Sequence, residues 1–146
     1  MAKISNEEEE LRKLSVEMRF LEQTAENLQQ RVSMMNAAMS DLTYANMTLD
    51  DVEKEKEDAE LLVPIGGSAY IKVKLANTDT VVIGLGAGVS IEKTLPEAKA
   101  IVKERLTELE KAMTAAQQQF AQIATRINAD RSRIESLLAK VREGKT

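Results

Sequence analysis

Residues 84–93 read GLGAGVSIEK, with glycines at positions 84, 86 and 88 ahead of Lys93 and Thr94. Glycine-rich turns cradle phosphates, because a chain without side chains presents several N–H groups to one anion. The spacing here fails both patterns that use this chemistry. A dinucleotide fingerprint needs a third glycine where Val89 stands and a helix directly after it. A P-loop needs its lysine preceded by glycine, and Lys93 follows Glu92. Strand-like residues follow Gly88, so no helix N-terminus faces the loop. These glycines are read as bends between strands.

Other chemistry is equally scarce. The 146 residues include no His and no Cys, which removes the usual general base, thiolate metal sites and disulfides. Asp and Glu lie on helix faces without converging on a pocket. The sequence predicts no enzyme, no cofactor and no metal. A net charge of −4 gives no general attraction to nucleic acid or to an anionic membrane. No apolar run approaches the roughly 20 residues of a membrane span, and the acidic start MAKISNEEEE is unlike a signal peptide. A soluble cytoplasmic protein is expected.

The elements follow from periodicity. Aromatic residues make up only 3% of the chain against 43% hydrophobic and 30% charged, a balance that favours long helices over a globular core. Ile4, Leu11, Leu14, Met18, Leu21, Ala25, Leu28, Val32, Met35, Met39, Leu42 and Leu49 fall on three- and four-residue steps, the heptad signature. Asn46 interrupts that seam and is read as fixing its register. Met34, Met35, Met39 and Met47 are read as flexible gap fillers. Ser5 and Glu8 stand at capping-box spacing, and a helix of roughly 50 residues at 1.5 Å each would span about 75 Å. Thr94, Pro96 and Glu97 open a second helix. Its seam runs through Leu95, Ala98 and Val102, shifts by a four-residue stutter to Leu106, and continues to Val141 with Asp130 as its polar interruption. Neither helix can bury its stripe alone, so an antiparallel pair is predicted, with Leu11 near Leu138 and Leu42 near Leu106.

Between them the period falls to two. AYIKVKL (residues 69–75) alternates, ANTDT (residues 76–80) turns, and VVIGL (residues 81–85) returns beside it. LLVPIGG and AGVSIE flank this inner pair, which makes two linked hairpins. The fold class is α+β: residues 5–60 and 94–143 form a long antiparallel two-helix coiled coil, and residues 61–93 form two short β-hairpins. Four short strands are marginal alone and leave open edges, so they ask for other chains. Ile71, Val73, Leu75, Val81 and Ile83, with Val63, Ile65, Val89 and Ile91 on the flanking strands, are the expected assembly residues.

This organisation, with LVPIGGSAYIKVKL (residues 62–75) and VVIGLGAGVSIEK (residues 81–93), resembles the alpha subunits of archaeal prefoldin. Leu62, Val63, Pro64, Ile65 and Gly66 match the family's strand entry, and Gly86, Gly88 and Glu92 match its second stretch. Four strands point to the alpha class, since beta subunits carry one hairpin. The resemblance implies an ATP-independent holdase in which two alpha and four beta subunits join their strands into a double β-barrel platform. Coiled coils would hang from it, grip non-native client proteins at their far ends and deliver them to a group II chaperonin. For those ends the residues offer Ile4, Leu11, Leu14 and Val141, where helix ends fray. Val16 and Phe20 lie four apart and off the seam, and Leu138 lies beside the seam residue Leu137. The competing reading is a structural scaffold or spacer held together by its hairpins.

Overall fold

The computed structural model describes residues 5–144. Its elements are α1 (Asn6–Lys54), β1 (Glu60–Gly66), β2 (Ala69–Lys74), β3 (Thr80–Gly86), β4 (Val89–Thr94) and α2 (Leu95–Glu143). Both helices start where the sequence provides a cap. The Glu8 N–H donates to Ser5 Oγ at 3.2 Å, and the Glu97 N–H donates to Thr94 Oγ1 at 3.3 Å. Each cap satisfies one of the amides that a helix leaves unpaired at its start. Glu7, Glu8 and Glu9 in the first turn of α1, and Lys140 and Arg142 in the last turn of α2, complement the helix dipoles.

The chain divides into two compact units. The first pairs α1 up to Asn36 with α2 from Lys111. Arg133 Nε donates to Glu10 Oε1 and Arg126 Nε to Glu17 Oε1, each at 2.8 Å. Seven residues forward on α1 therefore match seven residues back on α2, so the helices run antiparallel. Leu28, Met113, Ala116 and Leu137 are buried between them, as is the polar Asp130, and the remaining described seam positions are half-buried. Each fully buried leucine or methionine side chain is worth about 1.5 to 3 kcal/mol. Ile4 lies outside the described residues.

The second unit, Ala37–Glu110, holds the hairpins and the adjoining parts of both helices. Leu49, Ile83, Leu95, Ala98 and Val102 form its buried cluster, with Leu42, Ala45, Val81, Ile101 and Leu106 packed around it. Both sides of the expected stutter, Val102 and Leu106, thus face one core. Lys99 bridges the helices here, reaching Asp50 Oδ1 at 2.8 Å and also Glu53. Those two hydrogen bonds raise the Lys99 ammonium above its usual pKa, and the bond from Lys99 holds the Asp50 carboxyl below its own.

The strands pair as β1 with β2 and β3 with β4, in two separate antiparallel sheets. The expected inner pair, residues 69–75 against 81–85, is not made. Loop chemistry explains the choice. Gly67-Ser68 (φ +56° and +61°) and Ala87-Gly88 (φ +51° and +77°) each place two positive φ angles in a two-residue loop. That is the type I′ pattern, whose twist matches that of paired strands. Just before each loop the register shifts, between Pro64 and Gly66 and between Gly84 and Gly86. Gly66 (φ +108°) and Gly86 (φ +96°) supply the backbone angles these bulges need. The ANTDT turn instead carries the chain from one sheet to the other. Asn77 Oδ1 accepts from the Asp79 and Thr80 N–H groups at 3.1 and 3.0 Å, and the Leu95 N–H donates to Asp79 O at 2.9 Å.

Candidate functional site

Two surfaces follow from this arrangement, one in each unit. In the second unit the hairpins are seated unequally. Ile83 is only 9% exposed, and Val81 packs against the same helix-borne cluster. Arg105 Nη2 donates to Gly84 O at 2.8 Å, which adds a polar tie from α2 to β3. The first hairpin buries no residue at all. It is tied at its base, where the Asp58 N–H donates to Leu75 O at 2.8 Å and the Leu75 N–H donates to Ala59 O at 2.9 Å. Leu61 to Pro64 and the Tyr44–Thr48–Val52 face of α1 line a groove of about 650 Å³ between them.

The hairpin side chains left open are therefore not the whole expected set. Val63, Ile65, Ile71 and Val89 are exposed. Val73, Leu75, Val81 and Ile91 are half-buried, and Ile83 is spent within the chain. Leu62, Tyr70, Val82 and Leu85, outside the expected assembly set, are exposed as well. Their signal was present for Val82, since alternation places it opposite Val81 and Ile83. Exposed apolar side chains on both open-edged hairpins make a surface suited to another chain.

In the first unit the apolar surface is on the helices. Phe20 is 70% and Val16 63% exposed, and their spacing places them on one face of α1 away from the pairing seam. Leu138 is exposed beside Leu137, which is 0% exposed. Leu11, Leu14 and Val141 are half-buried. The methionines divide: Met35 fills the seam, whereas Met34 stands exposed. In the second unit Met39 and Met47 divide the same way. Asn46, half-buried in that unit's seam, leaves its Oδ1 without a hydrogen-bond partner.

Near the chain termini this unit is held by charge. Arg133 grips Glu10 through two bonds, Nε to Oε1 at 2.8 Å and Nη2 to Oε2 at 3.0 Å. The hydrogen bond from Arg133 holds the Glu10 carboxyl below its usual value, and Arg133 is raised in turn. A carboxyl lowered on folding stabilises the folded state above the unfolded pKa and loses that effect as pH falls through the folded value. The melting temperature of the wild-type chain is accordingly expected to exceed that of Glu10→Gln at neutral pH. The gap should close on acidification below the carboxylate range, and also in high salt because the pair is solvent-exposed. A gap unchanged by both would show that Glu10 acts through something other than this pair.

Among the described residues no three His, Cys, Asp or Glu side chains gather where they could hold a metal ion. Among the same residues no helix is long and apolar enough to cross a membrane.

Comparison with known proteins agrees with this architecture. A family model described as Prefoldin subunit matches residues 21–140. The prefoldin subunit alpha of Methanococcoides burtonii is 32% identical over 120 residues, covering 82% of this chain and 87% of its own. That of Pyrococcus horikoshii is 30% identical, covering 81% of this chain and 80% of its own. Among solved structures, filamentous prefoldin from Methanocaldococcus jannaschii shares the fold with a TM-score of 0.67 at 23% identity, over 79% of this chain and 95% of that one. The prefoldin beta subunit of Thermococcus strain KS-1 does so with a TM-score of 0.57 at 16% identity, over 93% and 96%. The paired helices, the two hairpins that leave apolar faces open, and relatives aligned over most of both chains agree: this chain belongs to the prefoldin family of chaperone subunits, alongside the archaeal alpha subunits.

Proposed function

We propose that this chain is the alpha-class subunit of an ATP-independent holdase. Its hairpins join those of beta-class subunits, two alpha with four beta, through the open faces around Leu62, Val63, Ile65, Tyr70, Ile71, Val82 and Val89. The terminal ends of its paired helices hold non-native proteins in the cytoplasm and pass them to a group II chaperonin. Phe20 carries the reading. It is a large aromatic side chain on a helix face that the pairing seam does not use, and exposed apolar surface of this kind marks interaction sites. Val16 beside it, Leu138, and Leu11, Leu14 and Val141 in the half-covered seam extend the apolar surface offered to a client.

The test is light scattering from guanidine-unfolded, reduced lysozyme diluted without ATP into the chain assembled with a prefoldin beta subunit. A second assembly lacks the residues before Ser15 and after Glu135 and also carries Val16→Ser and Phe20→Ser. Suppression by the intact assembly alone is the expected result. Equal suppression by both would move the client site to the hairpins or along the helices. Suppression by neither, with assembly verified, would favour a scaffold or spacer.

A further inference from the structure

Leu137 presents a difficulty for any client site at the terminal end, because it is 0% exposed in the closed helix pair. Leu11 and Leu14 are likewise partly covered. These leucines reach a client only if the pair opens there. Close to them α2 carries an unusual seam residue. Asp130 is 4% exposed, and its Oδ2 has no hydrogen-bond partner. Its Oδ1 lies 3.3 Å from Arg126 Nε. That same nitrogen already donates to Glu17 at 2.8 Å. Arg126 itself stands mostly in solvent.

We propose that Asp130 is a built-in weak layer that sets how readily the terminal end of the helix pair opens, and so how readily Leu11, Leu14 and Leu137 join Val16 and Phe20 in holding a client. A buried carboxylate loses its hydration and recovers it only through good pairing. Here the pairing is shared with Glu17, whose carboxylate competes for the same Arg126 nitrogen, and one oxygen has none. Opening returns water to both oxygens of Asp130, so the closed state is stabilised less than an apolar layer would stabilise it. The weakness is local. Arg126 and Arg133 bracket Asp130 on α2, and their partners Glu17 and Glu10 bracket Leu11 and Leu14 on α1. Toward the interior of the unit the seam continues with Leu28, Met113 and Ala116 buried. Local opening of this kind is drawn from the least stable part of a fold.

This inference rests on the terminal end being the client site, and its test separates the two ideas. Hydrogen exchange would be followed by mass spectrometry in the chain assembled with a beta subunit. Peptides from residues 6–17 and 131–143 would be compared with those from residues 25–35 and 113–123. Asp130→Leu is expected to slow exchange in the terminal peptides by about tenfold or more while leaving the interior ones unchanged. It should also raise several-fold the amount of assembly needed to hold reduced, unfolded lysozyme. Asp130→Asn, which keeps a polar side chain of the same size and guards against altered pairing, should fall between. Arg126→Ala removes the nearby charge and should speed terminal exchange. Unchanged or faster exchange in Asp130→Leu overturns the proposal. Slower exchange with undiminished holding overturns it too, because opening would then play no part in capture. In that case the client site still stands, and it falls only if the trimmed assembly holds lysozyme as well as the intact one.

Discussion

Replacing Ile83 by alanine is expected to release the second hairpin from the helices that seat it. Ile83 lies in the cluster formed with Leu49, Leu95, Ala98 and Val102. Losing its outer carbons leaves a void that these neighbours can only partly fill, a change that costs about 2 to 4 kcal/mol. The effect should be concentrated in β3 and β4, because a two-stranded hairpin is marginal by itself in water and depends on what it packs against. Hydrogen exchange at the β3 and β4 amides reads this directly, and native mass spectrometry with a beta subunit reads its consequence for assembly. Val82→Ala is the matched control. Val82 is the preceding residue on the same strand, points to the opposite face and is 66% exposed. Its truncation should change the chain's own stability by no more than about 0.5 kcal/mol, yet weaken assembly if that face is joined by another chain. Undisturbed exchange in Ile83→Ala would show that Arg105 and the backbone ties hold the hairpin without the cluster.

The second large effect is expected from Val16→Ser combined with Phe20→Ser. Both side chains stand in solvent, so their loss should leave the melting temperature nearly unchanged. The backbone bond that Thr24 Oγ1 donates to Phe20 O at 2.9 Å does not involve the phenyl ring and survives the change. For the client the change is severe. Burying a phenyl ring is worth about 1.5 to 3 kcal/mol, and a few aromatic anchors carry most of the energy of an interface. Roughly tenfold more assembly should be needed to hold unfolded, reduced lysozyme. Retained holding by a stable double variant would remove this face from the client site. A drop in both stability and holding would show that the two residues also brace the helix pair.

Much of this architecture is written in local spacing. The three- and four-residue steps selected most of the buried and half-buried apolar positions from Leu11 to Leu49, though not Ala45, because on a helix periodicity decides which side chains share a face. Ser5 and Thr94 declared the helix starts, since capping needs only a short polar side chain and an amide three residues on. That the glycines at 86 and 88 lead into a strand rather than a helix followed from the residues after Gly88, which form β4.

What tertiary structure decided lies where alternatives were locally equal. Strand alternation fits β2 pairing with either β1 or β3. The choice rests on the positive φ angles in the Gly67-Ser68 and Ala87-Gly88 loops, a backbone property that residue types only partly disclose. Alternation also places Val81 and Ile83 on one face without saying whether that face meets another chain or the chain's own helices. Only the fold shows that Ile83 is used internally and Val82 is left open. Asp130 read as an interruption of a pattern. That it is deeply buried with one oxygen unpartnered depends on the helix brought against it, and no spacing in a single helix encodes that.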